Sequence, residues 1–189
     1  MIISLSGAGG AGKSTMAKKL ANVLGWPHYY MGGLRREAAA KKGITLAEYN
    51  KLGEMNPLTD QEVDLFQQEL GEKKDNFIIE GRTSWHFIPH SLKIYLEVSK
   101  EEGAKRIFKH LQQENNRNED VELSSVLAVK NSMTRRLESD NLRYKKYYGI
   151  DVNNPANYDL YLDTSDLNEN ESFNIVYNFI KDRLDKTNI

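Results

Sequence analysis

The stretch that most constrains this chain is Gly7-Ala8-Gly9-Gly10-Ala11-Gly12-Lys13-Ser14-Thr15, set directly behind the opening Met-Ile-Ile-Ser-Leu-Ser. It fits G-x-x-x-x-G-K-[ST], the spacing of a phosphate-binding loop. Glycines let the backbone wrap closely and turn successive N–H groups inward onto phosphate oxygens. A helix that starts at Lys13 adds the positive end of its dipole. Lys13 can reach the β- and γ-phosphates of a nucleotide, and the Ser14 hydroxyl can ligate Mg²⁺. The bland alternative is a Gly/Ala linker that happens to precede Lys-Ser. The flanks decide against it, because residues 1–5 read as a short buried strand. Residues 13–24 read as a helix with Met16, Ala17, Leu20, Val23 and Leu24 on its apolar side and Gly25 as its stop. The loop names a nucleoside triphosphate as donor and leaves the receiver of its phosphoryl group open.

Bulk properties narrow the receiver. The chain has 189 residues, enough for one domain with a full core. Lys and Arg number 26 against 27 Asp and Glu, and this balance argues against a nucleic-acid partner. A small phosphorylated ligand needs only local positive charge. Cysteine is absent, which excludes disulfides and thiolate catalysis and makes a reducing cytoplasm the expected setting. No apolar run approaches the roughly 18 residues of a membrane span, and the start lacks the pattern of a signal peptide.

Along the chain, strands are expected at 1–5, 28–31, 77–80, 93–98 and 158–162, and helices at 13–24, 34–42, 99–113, 125–147 and 172–184. Two capping boxes, Thr45-Leu-Ala-Glu48 and Thr59-Asp-Gln-Glu62, open two further helices. Residues 112–122 are polar and read as an exposed loop. Strands that alternate with helices predict an α/β three-layer sandwich, a P-loop fold with a central parallel sheet of five strands. The chain reads as a single domain, 1–189, interrupted by helical inserts at 33–75 and 104–148.

Moving a γ-phosphoryl group to another phosphate requires several anions to be held together, so extra arginines are expected near strand ends. Three sets qualify. Arg35-Arg36 starts the helix after the second strand. Glu80-Gly81-Arg82 ends the third strand, where open α/β sheets place ligands. Arg136, Asp140 and Arg143 share one helix face at i, i+4 and i+7, so Asp140 can brace both guanidinium groups and leave their other donors for phosphate. Taken singly, the first and third sets also read as solvated surface charge.

Together these motifs resemble the cytidylate kinases, a branch of the nucleoside monophosphate kinases, and most of all their short archaeal-type members. The family's Ser-x-Gly-Asp-x-x-Arg is matched by Tyr30-Met31-Gly32-Gly33-Leu34-Arg35-Arg36, with Tyr30 and Gly33 as departures. Its acid-Gly-Arg is Glu80-Gly81-Arg82, followed here by Thr83. Its Arg-x-x-x-Asp-x-x-Arg is Arg136 to Arg143. Tyr147-Tyr148-Gly149-Ile150-Asp151 and Tyr158-Asp159-Leu160 match two further phrases.

The resemblance implies ATP + (d)CMP ⇌ ADP + (d)CDP, with ATP and Mg²⁺ as cofactors. Residues 7–15 would bind ATP. Lys13, Arg136 and Arg143 would neutralise the transferring group. Arg36, Arg82, Arg136, Asp140 and Arg143 would bind the acceptor, Ser14 would ligate Mg²⁺, and Glu80 would act on it through a water. No general base is needed, since a phosphate oxygen is already anionic. The segment 158–168 would pass the adenine edge, the inserts would close over the substrates, and a monomer is expected. Two alternatives stay open. One is a P-loop kinase for AMP, dephospho-coenzyme A or a small alcohol, for which Glu80, Asp60 and Asp64 are the candidate bases. The other is a non-catalytic nucleotide-binding switch.

Overall fold

The protein is described here by a computed structural model, which describes residues 1–113 and 123–187. The expected polar loop therefore lies, from residue 114 on, outside the described residues.

Five strands form one parallel sheet: β1 (Ile2–Gly7), β2 (His28–Tyr30), β3 (Phe77–Glu80), β4 (Leu92–Glu97) and β5 (Leu160–Asp163), in the order β2-β3-β1-β4-β5. β1 lies in the middle and every one of its residues is buried, as a strand covered on both faces must be. Its side chains alternate. Ile3 and Leu5 face α1 (Lys13–Leu24) and α8 (Glu169–Thr187), where Leu20, Val176 and Ile180 complete one core. Ile2 faces the other side with Phe77 and Ile79, against Met31 of α2 (Met31–Lys41) and Leu70 of α4 (Leu58–Lys73). The buried serines of β1 are satisfied: Ser6 Oγ donates to Gly81 O (2.7 Å), and Ser4 Oγ accepts from Ser91 Oγ (2.8 Å). The sheet is thus sandwiched between helices, and the three-layer expectation holds.

Between α2 and α4 lies α3 (Leu46–Met55). Its expected capping box is present: Glu48 N donates to Thr45 Oγ1 (3.2 Å) and Thr45 N to Glu48 Oε2 (2.7 Å). The second expected box is not formed. α4 begins one residue before Thr59, with Pro57 at the cap, and Thr59 Oγ1 donates back to Asn56 O (3.1 Å). Asn56 already serves the new helix, accepting from Leu58 N (3.0 Å), so the Thr-x-x-Glu spacing falls inside the helix and its reciprocal bonds have no orphan groups to satisfy.

The remaining helices are α5 (Ser84–Phe87), α6 (Lys100–Gln113) and α7 (Val126–Tyr148). α5 is one short turn after β3 and carried no periodic signal. α7 begins on Ser125, whose side chain accepts from Ala128 N, and ends at Gly149 in the left-handed region (φ 70°). Among the described residues no helix is long and apolar enough to cross a membrane.

Candidate active site

The carboxyl ends of all five strands point to one edge of the sheet, and the order reverses beside β1, the switch point where open sheets hold ligands. The loop leaves β1 there. At Gly7 (φ 145°) a Cβ would lie 2.1 Å from Leu96 O. At Gly10 (φ 80°) it would lie 2.4 Å from Gly103 O, so the loop and α6 meet glycine against glycine. Gly103 gave no signal in the sequence, because only this packing gives it a role. The Lys13 ammonium folds back over the loop and donates to Ala8 O (2.5 Å).

The loop floors a cleft of about 1460 Å³. Residues 7–15, Arg36, Glu80, Arg82 and Arg136 all line it, and so does Tyr30. Arg36, Arg82 and Arg136, distant in sequence, thus line one cleft with the phosphate loop. Between the adjacent arginines the structure discriminates: Arg36 faces the cleft, whereas Arg35 is buried. Arg35 Nε donates to Asn50 Oδ1 (2.8 Å), and its Nη1 pairs with Asp60.

Ser14 Oγ donates to Glu80 Oε1 (2.8 Å), joining the loop to the end of β3. The other Glu80 oxygen is buried with no hydrogen-bond partner, 3.5 Å from His28 Nε2. A hydroxyl beside a carboxylate with a spare buried oxygen is a hard-oxygen donor set, which suits Mg²⁺ held by one protein ligand, phosphates and waters. Among the described residues no three His, Cys, Asp or Glu side chains converge as a metal cage.

Arg143 departs from expectation. The spacing put it on a phosphate-facing stripe, but it is fully buried and lines no part of the cleft. α7 packs on α3 and turns its Arg143–Asp140 side toward Asp60 of α4 rather than into the cleft. Arg143 Nη1 donates to Asp60 Oδ1 (2.6 Å) and Oδ2, and its Nη2 donates to Asp140. Asp140 is buried as well. Instead of bracing Arg136 closely (4.0 Å), it pairs with Arg143 and with Arg82 at the cleft wall. The result is a chain of alternating charge, Arg35–Asp60–Arg143–Asp140–Arg82, running from α2 through α4 and α7 to the end of β3. Burial by itself raises the Asp140 carboxyl, but Arg82, Arg143 and Arg136 hold it below the ordinary carboxylate range.

Asp60 and Asp64, considered as bases for an alcohol acceptor, are both committed elsewhere. Asp60 serves two arginines, and Asp64 accepts from the Tyr148 hydroxyl. Burial, with Asp60 nearby, pushes the Asp64 carboxyl up to about 6. The folded protein thus keeps the Asp64 proton up to about pH 6, whereas the unfolded chain releases it near 3.8. The folded state binds more protons across that window, so this group's contribution to stability falls as pH rises through it. Asp64→Asn, neutral throughout, is expected to gain Tm relative to wild type more at about pH 7.5 than at about pH 4.5, as followed by thermal melts.

The segment after β5 is pinned beside the loop. Arg106 of α6 donates to Thr164 O (2.8 Å) and Ser165 O (3.2 Å), and Thr164 Oγ1 donates to Glu97 O (2.8 Å). Arg106 was not singled out from sequence, since nothing local distinguishes it from a solvated helical arginine.

Comparison with known proteins gives a consistent picture. The profile of the cytidylate kinase-like family matches residues 2–166. The chain is 34% identical over 187 residues to a cytidylate kinase of Methanopyrus kandleri, covering 93% of this chain and 91% of that protein. It is 36% identical over 175 residues to a cytidylate kinase of Methanothrix thermoacetophila, covering 93% and 95%. Among solved structures, a shikimate kinase from Bacteroides thetaiotaomicron superposes with a TM-score of 0.62 over 98% of both chains at 16% identity, a likeness of fold alone.

Proposed function

The chain belongs to the cytidylate kinase-like family, and from that premise we propose that it transfers the γ-phosphoryl group of ATP to CMP or dCMP, giving ADP and CDP or dCDP. The observation that carries this reading is that Arg36, Arg82 and Arg136 line the same cleft as Lys13, more cationic groups than a triphosphate alone requires.

The loop N–H groups of residues 7–15 hold the donor's phosphates, and the Lys13 ammonium lies against the β- and γ-oxygens. Arg36 and Arg82 grip the acceptor phosphate. One of its oxygens attacks the γ-phosphorus as the bond from that phosphorus to the β-bridging oxygen breaks, leaving ADP with the electron pair. Arg136 and Lys13 stabilise the charge spread over the group in flight. The attacking oxygen is already anionic, so no side chain removes a proton, in keeping with the commitment of Asp60 and Asp64 to internal partners. Asp140 and Arg143 support Arg82 from behind the cleft wall rather than touching phosphate. Ser14 and, through a water, Glu80 would hold Mg²⁺, which when bound would neutralise charge on the donor's phosphate oxygens. The segment 158–168 borders the adenine. The helices within 33–75 and those described within 104–113 and 123–148 close over the two nucleotides and keep water from the transfer.

An ADP-release assay across CMP, dCMP, UMP, AMP, GMP and water tests the reading. ADP is expected with CMP and dCMP, at background with water, and not at all after chelation of divalent cations. Release with no monophosphate, or release with water equal to that with CMP, overturns it.

A further inference from the structure

Tyr30 holds a place that the reaction described above leaves without a role. It ends β2, level with Glu80 in the parallel register, and forms the N-terminal boundary of α2 in extended geometry (φ −115°, ψ 97°). Its ring does not project away from the helix. It folds back over the first turn so closely that a Cβ on Gly32 would lie 2.8 Å from Tyr30 Cε2, and one on Gly33 2.9 Å from Tyr30 Cδ1. The pair Gly32-Gly33 is therefore what lets the ring lie there. Both glycines have ordinary helical backbone and no positive φ to explain them otherwise.

In that position the ring meets Arg36, one turn further on. The Arg36 guanidinium lies over the ring (5.6 Å to the centroid), and its Nη1 donates to the Tyr30 hydroxyl and to Gly32 O (3.2 Å). Tyr30 and Arg36 both line the cleft. A free arginine side chain carries about 2 kcal/mol of rotamer entropy. A group that fixes one rotamer in advance removes part of that cost from ligand binding. Because the anchor stands at the end of a sheet strand rather than on a loop, the guanidinium is placed relative to Glu80 and Arg82 by backbone hydrogen bonds.

We propose that Tyr30 is a positioning residue for the acceptor phosphate: its ring and hydroxyl hold the Arg36 guanidinium in the orientation that receives a phosphomonoester dianion. The inference rests on the nucleoside monophosphate kinase reading. It adds the residue that sets the geometry of one of that reading's two acceptor-phosphate grips. It also explains why tyrosine and two glycines occur together at 30, 32 and 33.

The test is a double-mutant cycle of Tyr30→Phe and Arg36→Ala, reading Kd for CMP by calorimetric titration, KM for CMP and for ATP, and Tm. Tyr30→Phe keeps the ring and loses one hydrogen bond to a charged, partly exposed group, so Kd and KM for CMP are expected to rise about 3- to 10-fold. KM for ATP and Tm stay as in wild type, which a merely structural role would not give. Tyr30→Ala, which also loses the ring, is expected to exceed Tyr30→Phe. In the Arg36→Ala background, Tyr30→Phe is expected to add less than about twofold, because the tyrosine acts through the arginine.

An unchanged Kd for CMP in Tyr30→Phe, or an effect that persists in full without Arg36, overturns the proposal. If the wild type binds CMP but forms no ADP with it, the kinase reading falls while the Kd cycle still decides the role of Tyr30. If the wild type binds no CMP, both fall.

Discussion

Lys13→Ala is expected to lower kcat for ADP formation with CMP by about 10²- to 10³-fold, the usual cost of removing one preorganised charge from a phosphoryl-transfer site. The ammonium belongs to the first residue of α1 and reaches back to Ala8 O (2.5 Å), so it is folded over the loop and partly buried rather than extended into solvent. Its charge is worth more as negative charge moves onto the bridging oxygen than in the ground state, because donor and acceptor anions are by then closest together. Binding is shared with the loop N–H groups and the helix end, which the substitution leaves in place. The dissociation constant for ATP is thus expected to rise no more than about tenfold. Lys13 is only partly buried and packs in no apolar cluster, so the melting temperature is expected to stay within about 2 °C of wild type. Single-turnover kinetics with saturating ATP separate the two effects. A loss seen wholly in ATP affinity, with unchanged single-turnover rate, would make Lys13 a ground-state ligand and contradict the role given to it.

What the sequence disclosed and what it concealed divide by the range of the interactions. The loop was legible because its chemistry is local: nine consecutive residues carry the glycines, the ammonium and the hydroxyl, and the flanking strand and helix are set by their own apolar periods. Glu80-Gly81-Arg82 was legible for the same reason, since an apolar strand that stops on an acid and a glycine marks its own end. The Thr45 box and the Thr59 box look alike as strings. They differ because Asn56 and Pro57 start α4 earlier, a competition between neighbouring caps that spacing does not rank. The choice between Arg35 and Arg36 turns on Asn50 and Asp60, which come from two later helices. Gly103 and Arg106 matter only because α6 packs against the loop and the segment after β5. Tyr30 was visible as a departure from a pattern, but its ring position over Gly32 and Gly33 depends on side-chain direction, about which a one-dimensional pattern is silent.

Arg143 is the sharpest case, and it yields the second large effect. It shares a helix face with Asp140, yet the partner that decides its role, Asp60, lies 83 residues away on α4. The guanidinium has no exposed surface and stands between two buried carboxylates, Asp60 and Asp140. Burial alone lowers its proton affinity, but the two carboxylates raise it well above the ordinary arginine value, so it is cationic at every accessible pH. Arg143→Ala removes the charge between the two carboxylates and leaves a cavity. Breaking a buried ion pair from one side costs about 3–5 kcal/mol, because the remaining charge stays desolvated without its partner. For a chain of this length that corresponds to a fall in Tm of roughly 6–20 °C. Arg143→Lys is expected to recover less than half of the loss, since one ammonium cannot span both carboxylates as the planar fork does. Activity per folded molecule should fall as well, by about tenfold, through Asp140: freed from Arg143, it no longer fixes Arg82 at the cleft wall. The alternative role, direct contact with the transferring phosphoryl group, predicts the opposite pattern, a Tm near wild type with turnover reduced 10²- to 10³-fold. Thermal melts and kcat on the same preparations of Arg143→Ala and Arg143→Lys therefore decide whether this arginine holds the site together from within or acts on the substrate itself.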